Sequence, residues 1–383
     1  LKPAGYQSVH LGKWHLTHRD RGGKGGTDNP DPEFYPEAQG FDINVGGNEH
    51  GAPPSYFWPY GKGKTIEARK NNTIFQTLPK GGEEGEYLTD RLADEGAAVL
   101  DTFHKNGKPF FVYFSFYNVH TPLMGRPDLV AKYEKKLTEN PGTKHNNVKY
   151  AAMVESVDEA VGKILTKLKD IGADGNTLVI FTSDNGGLKP QATDNLPLRQ
   201  GKGGIYEGGV RVPTIIRWPG AKSPGREVDQ PIITMDFLPT IMDALEVPYP
   251  SGFDKQLLDG VSLLPLLKNP ETDLNRESIY WHYPHYHSMG AQPYSAIRSG
   301  DWKLIERHLG SSIELYDLSK DIHEDHDLAM EKPEFAQALL TDLEAWRKSI
   351  DAQMPTENQE FEDDQPTGVA RGGNLRPASP IRE

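Results

Sequence analysis

Hydrophobic and polar positions along this chain alternate between two periods. The five-residue apolar run Thr177-Leu178-Val179-Ile180-Phe181 reads as a buried strand of a parallel sheet, and the eight residues Pro109 through Phe116 read as a strongly apolar strand. Gln7-Ser8-Val9-His10-Leu11-Gly12 and Val212 through Trp218 read as two further strands. Between them the period changes to 3.6. Leu88, Leu92, Ala93 and Leu100 share one face of a helix from Glu86 to about His104. Met153, Val154, Val157, Val161, Ile164, Leu165 and Leu168 do the same over 147–170, and residues 235–246 read as another helix. This alternation of strand and helix predicts an α/β fold, a mostly parallel sheet flanked by helices. After about residue 265 the runs shorten and alternate, at 278–283, 294–298, 301–306 and 313–317, predicting a small antiparallel sheet. A helix from Pro333 to Ile350, with proline near its first turn, follows it. Residues 17–85, rich in Gly, Pro, Asn and charge, read as long surface loops. The expected organisation is a domain over 1–265, an α+β subdomain over 266–354 and a polar tail over 355–383 with an acidic run Glu360-Phe361-Glu362-Asp363-Asp364.

Composition narrows the function classes. With 383 residues, 36% hydrophobic, the chain can bury a large core. No apolar run approaches the ~18 residues of a membrane span. A net charge of −13 disfavours nucleic acid as a partner but leaves room for a small anion held by a few local cations. The absence of cysteine excludes disulfide and thiolate chemistry. The chain opens at Leu1-Lys2-Pro3 without a leader, which reads as a fragment whose start lies upstream.

Candidate chemistry collects at strand ends. Asp184 and Asn185 follow the 177–181 run and precede Gly186-Gly187. A carboxylate beside a carboxamide offers oxygen ligands to a hard cation such as Ca2+ or Mg2+; the plain alternative is an Asx turn. Lys13 and His15 follow the first strand and would share a face if it continued; the alternative is a solvated lysine beside a loop histidine. His120 ends the 110–116 strand, before Thr121-Pro122, where the proline would favour an extended chain; it could equally cap a strand end. Gln200 through Pro213 is dense in glycine around Lys202, Glu207 and Arg211. It lacks the Gly-x-x-x-x-Gly-Lys-Ser/Thr pattern of a P-loop, so it is either an anion-meeting loop or merely a flexible one. An oxygen-ligated metal, two lysines and two histidines would together neutralise a tetrahedral oxyanion during its transfer or hydrolysis. Trp281-His282-Tyr283-Pro284-His285-Tyr286-His287 could line a sugar pocket or form a tyrosine-rich strand with exposed histidines.

These segments, in this order, resemble a known family. Gly5-Tyr6, Gly12-Lys13-Trp14-His15, His120-Thr121-Pro122, Ser183-Asp184-Asn185-Gly186, Lys202 and Tyr206 through Pro213 are similar to motifs of the type I, formylglycine-dependent sulfatases of the alkaline phosphatase superfamily. Ala296 through Ile305 and Glu314 through Leu318 match as well, so the resemblance runs to about residue 350. It implies an alkaline-phosphatase-like fold and hydrolysis of a sulfate ester on a carbohydrate. It also implies Ca2+ bound partly by Asp184 and Asn185, and sulfate held by Lys13, Lys202 and His120. His15 would serve the hydrated formylglycine, and His120 would protonate the leaving alcohol. A formylglycine-generating maturation enzyme is the implied partner, and a periplasmic or secreted location is implied too. One departure stands out. No Cys/Ser-x-Pro-x-Arg occurs, since Ser223-Pro224-Gly225-Arg226 and Ser379-Pro380-Ile381-Arg382 carry proline one place early. The family's paired N-terminal aspartates are missing as well. The nucleophile would have to lie upstream, leaving the displayed chain inactive alone. A phosphodiesterase or phosphonate hydrolase of the same superfamily, and a glycan-binding pseudoenzyme, are the alternatives.

Overall fold

Strand β1 (Gln7–Gly12) is the centre of a three-stranded parallel sheet, flanked by β2 (Ile43–Val45) and β3 (Phe110–Ser115). The computed structural model describes residues 1–17, 31–221, 225–254, 257–287 and 291–356. The acidic run 360–364, most of the expected tail and residues 18–30 of the expected loops lie outside them. Val9 and Leu11 are fully buried, and Val45, Tyr56, Leu88, Leu92, Phe103, Tyr117 and Met153 pack around them. The parallel register Gln7↔Phe110 through Gly12↔Ser115 brings the C-terminal ends of β1 and β3 side by side.

Helix α1 (Ile66–Asn71) is capped by Thr65, whose side chain accepts from Ala68 N–H at 3.1 Å. Helix α2 (Leu88–Lys105) buries Leu88, Leu92, Ala93, Gly96, Leu100 and Phe103, the stripe read from its periodicity. Helix α3 (Pro127–Glu139) escapes the sequence reading because only Leu129 on it is buried. Its start is fixed by Pro127 and by Arg126, which pairs with Asp90, Asp128 and Glu159. Helix α4 (Val148–Asp170) is capped by Asn147, whose side chain accepts from Tyr150 N–H at 3.1 Å.

Strand β4 (Val179–Thr182) pairs with β5 (Thr214–Arg217), with the single turn α5 (Glu207–Val210) between them in sequence. Helices α6 (Phe237–Ala244) and α7 (Leu264–Lys268) follow.

The C-terminal sheet has the order β6 (Ile279–Tyr283), β7 (Tyr294–Ser299), β8 (Trp302–Arg307), β9 (Ser312–Asp317), antiparallel throughout. The pairing Ser299↔Trp302 leaves Gly300-Asp301 as a two-residue turn, with Gly300 at φ 57°. Alternation sends Ile297, Leu304 and Leu315 to one face, where helix α8 (Pro333–Ser349) covers them with Ala336, Leu339 and Leu343. Ala296, Ile305 and Tyr316 point to the other face, which is covered by Ile205 and Tyr206. The sheet is therefore buried on both faces, and part of its cover comes from a glycine-rich loop about 90 residues earlier in the chain.

The chain divides into two compact units that interleave in sequence. One holds residues 1–179, 216–224 and 235–268; the other holds 180–215, 225–234 and 269–383.

Candidate active site

In the first unit, the candidate residues follow directly from strand ends. Gly12 closes β1 at φ 90°, and a Cβ there would sit 1.9 Å from the Ser115 carbonyl oxygen. Only glycine fits where the two backbones meet. Lys13 then donates its N–H to Ser115 O at 2.7 Å. The expected strand-like alternation of Lys13 and His15 does not occur, because the strand ends at Gly12 and His15 takes a left-handed φ of 55°. His15 is instead fixed by its N–H on Asn48 O at 2.9 Å, and its ring lies where a Cβ on Gly51 would be, 2.5 Å from Cε1.

His120 is not extended either. Its N–H returns to Tyr117 O at 3.0 Å, so it closes a turn beyond β3. The preference imposed by Pro122 acts on Thr121 and does not reach one residue further back. Buried tyrosines hold this turn, which the sequence reading missed. Tyr56 donates its hydroxyl to the carbonyls of Tyr117 at 2.7 Å and His120 at 2.9 Å. Tyr87 donates to Met124 O at 2.7 Å, and Tyr117 to Gly46 O at 3.0 Å. The His120 ring donates from Nδ1 to Thr121 O at 3.0 Å.

Behind these residues stands His10, with no exposed surface, packed against Trp14, Phe41 and Tyr113. Neither ring nitrogen has a hydrogen-bond partner among the described residues. Burial pushes its pKa down to about 4, although the Lys13 backbone and the Asn44 side chain work the other way.

In the second unit, three glycine-rich segments pack backbone to backbone. Gly186 N–H donates to Gly209 O at 3.0 Å, and a Cβ on Gly186 would lie 1.8 Å from Gly208 O. Lys202 N–H donates to Gly187 O at 3.1 Å, and Gly208 N–H to Arg199 O at 2.9 Å. The Asn195 carboxamide bridges the segments: it accepts from Gly187 N–H at 3.0 Å and donates to Gly187 O and Gln200 O, both at 2.9 Å. The Asp184–Asn185 turn and the Lys202 loop are thus one hydrogen-bonded lattice, and the loop is pinned rather than flexible.

Asn185 donates its amide to Gly186 O at 2.9 Å, and the Asp184 side chain is exposed. Two oxygen-bearing side chains suit a hard cation but supply only part of a shell of six to eight ligands. Among the described residues, no group of three or more His, Cys, Asp or Glu gathers as a metal site.

The aromatic segment at 281–287 divides. Trp281 packs into the core beneath Tyr206, and His282 is tied to Ser295 Oγ and to Gln353 O, both at 2.7 Å. His285 and Tyr286 remain exposed, Tyr286 at 69%. The first unit therefore carries Lys13, His15 and His120, and the second carries Asp184, Asn185 and Lys202.

Comparison with known proteins bears on these arrangements. The family model described as Sulfatase matches residues 1–247, and the model described as N-sulphoglucosamine sulphohydrolase, C-terminal, matches residues 201–349. A sulfatase of Formosa agariphila is 36% identical over 306 residues, covering 74% of this chain and 54% of the relative. The N-acetylgalactosamine-6-sulfatase of Mus musculus is 30% identical over 282 residues, covering 70% of this chain and 47% of that enzyme. This chain thus spans about half the length of these curated relatives. A crystal structure of Ps i-CgsB in complex with k-i-k-neocarrahexaose superposes with a TM-score of 0.71 at 28% identity, covering 93% of this chain and 74% of that one. With the Sulfatase model spanning well over half of its residues, and with the fold to match, the chain belongs to the sulfatase family.

Proposed function

We propose that this chain carries most of the machinery of a sulfuric ester hydrolase acting on a sulfated carbohydrate. The observation that supports this most directly is the backbone lattice that registers Lys202 against the Asp184–Asn185 turn. It would set a fixed cation at a constant distance from two oxygen donors, with little reorganisation when charge develops on a bound oxyanion.

Lys202 and Lys13 would each hold sulfate oxygens as point charges. His120 donates from Nδ1 to Thr121 O, which leaves Nε2 as the nitrogen that would take up a second proton and, in the imidazolium form, deliver it. Placed next to the bridging oxygen, that proton would pass to the leaving alcohol as the S–O bond breaks. His15, held by Asn48 and Gly51, would orient and exchange a proton with the nucleophile's hydroxyl. Asp184 and Asn185 would supply part of a Ca2+ shell, and Ca2+ and formylglycine would supply charge neutralisation and the nucleophilic oxygen when present. The sugar-bearing names of the Mus musculus relative and of the Ps i-CgsB ligand favour a carbohydrate substrate. Export to the periplasm or outside the cell, and maturation by a formylglycine-generating enzyme, belong to the same proposal. No helix among the described residues is long and apolar enough to cross a membrane.

The test is sulfate release from sulfated oligosaccharides by a protein that carries this chain together with a Cys/Ser-x-Pro-x-Arg segment. Release of sulfate that stops on Ca2+ removal is expected. Preference for phosphate esters, with stoichiometric Zn2+ or Mn2+, would favour the phosphodiesterase alternative instead. Glycan binding without any release would mark a pseudoenzyme.

A further inference from the structure

The loop that carries Lys202 is anchored on both sides of that residue by charges. Lys303 on β8 has a fully buried side chain, with Nζ 2.9 Å from Glu207 Oε1 and 2.9 Å from Glu324 Oε1. Glu324 also accepts the Glu207 backbone N–H at 2.7 Å. Arg298 approaches the other oxygen of Glu207 at 3.5 Å. Glu324 adopts φ 60°, a conformation a non-glycine residue rarely takes.

A second anchor lies nearby. Arg199 donates to the Glu324 carbonyl at 2.5 Å and lies 4.0 Å over the Tyr206 ring. Tyr206 donates its hydroxyl to Glu314 at 2.5 Å and accepts from Arg307 at 2.9 Å. Arg199 stands just before Lys202, and Tyr206 and Glu207 stand just after it.

Burying an ammonium between two carboxylates is an expensive way to hold a core together. Apolar residues of similar volume commonly do as well or better for stability. What charge supplies is a single geometry, because the pair has one good arrangement where apolar side chains have many. The element so fixed is the loop bearing Lys202.

We propose that Lys303, through Glu207 and Glu324, is a positioning residue for Lys202, fixing the loop so that its cation meets the substrate's oxyanion. This rests on the reading of Lys202 as an oxyanion-binding group.

The test uses the full chain, with inorganic sulfate as the probe. Calorimetric sulfate binding and site-resolved amide hydrogen exchange are measured for wild type, Lys202→Ala, Lys303→Met, Lys303→Arg and Glu324→Gln. In Lys303→Met and Glu324→Gln, the Lys202 amide should exchange about tenfold faster while β7 and β8 amides keep their protection. Sulfate affinity should fall by about tenfold in the same variants and be partly restored in Lys303→Arg. Unchanged affinity in a folded Glu324→Gln, where Lys202→Ala loses binding, would overturn the proposal. So would a loss of protection spread equally over β7 and β8, the mark of a general stability element. If wild type and Lys202→Ala bind sulfate alike, the reading of Lys202 falls instead, and the exchange rates alone decide whether Lys303 fixes the loop.

Discussion

The two groups of candidate residues, one in each compact unit, are held by opposite means. Around Lys13, His15 and His120, position comes from apolar packing: the buried strand β1 and its half-buried parallel neighbour β3 end at one level, and tyrosine hydroxyls satisfy the carbonyls of the turn beyond. Around Lys202, position comes from backbone-to-backbone packing of glycines and from buried charge pairs with the antiparallel sheet. Apolar packing is cheap in free energy and tolerates small changes of shape. Glycine lattices and buried ion networks tolerate almost none, because one added carbon or one missing charge has nowhere to be accommodated. Each group should therefore fail in its own way.

The largest expected effect is Gly186→Ala, whose Cβ would overlap a backbone oxygen at 1.8 Å. Backbone cannot swing aside as a side chain can, so urea unfolding should show a loss of about 4 kcal/mol or more. A loss below 1 kcal/mol would mean the lattice is loose. Next comes Lys202→Ala, which, in a protein that joins this chain to a Cys/Ser-x-Pro-x-Arg segment, should lower kcat for sulfate-ester hydrolysis by about 100- to 1000-fold. The melting temperature should barely move, since the segment is held through its backbone and not through this side chain. An equal fall in melting temperature would make Lys202 structural.

His10 sharpens the comparison from the apolar side. Its folded pKa is near 4 and its unfolded value near 6.5. The unfolded chain binds the extra proton between those values, so stability is full above about pH 6.5 and lost as pH falls toward 4. Chemical denaturation across that window should show a decline of up to about 3 kcal/mol. His10→Leu should remove most of it, and an unchanged slope would assign the effect to other groups. The smallest effect belongs to Tyr56→Phe. It leaves two carbonyls without their donor, at a cost of about 1–2 kcal/mol. Activity should fall with it if the turn bearing His120 is set by that hydroxyl, and a variant with lower stability but full activity would break the link.

How much of this was legible beforehand varies element by element. Strands β1 and β3 to β9 and helices α2, α4, α6 and α8 stand where hydrophobic periodicity puts them, but β4 is not the buried strand that its apolar run predicts, since none of its residues is buried and Phe181 is 37% exposed. Helix α3 and strand β2 were hidden, since one buries a single leucine and the other is three residues long. Lys13, His15, His120, Asp184, Asn185 and Lys202 were named as candidates because unusual residues next to strand ends and glycines stand out in one dimension. Tyr56, Tyr87, Lys303 and Glu324 were not, because a tyrosine in a loop or a charge in an alternating strand looks ordinary until its partner is known.

By itself, then, the sequence determined the local periods, the elements they imply and the order of the motifs, since these depend on neighbours within a few residues. Tertiary structure alone decided that β1 stops at Gly12, that His120 turns back, and that the loop after Gln200 is pinned instead of free. Each of those outcomes depends on an atom far away in the chain: the Ser115 carbonyl for Gly12, the Tyr56 hydroxyl for His120, the Lys303 ammonium for the loop. Hydrogen bonds and charge pairs act over a few ångströms in space, whatever the separation in sequence, so only folding brings such partners within reach.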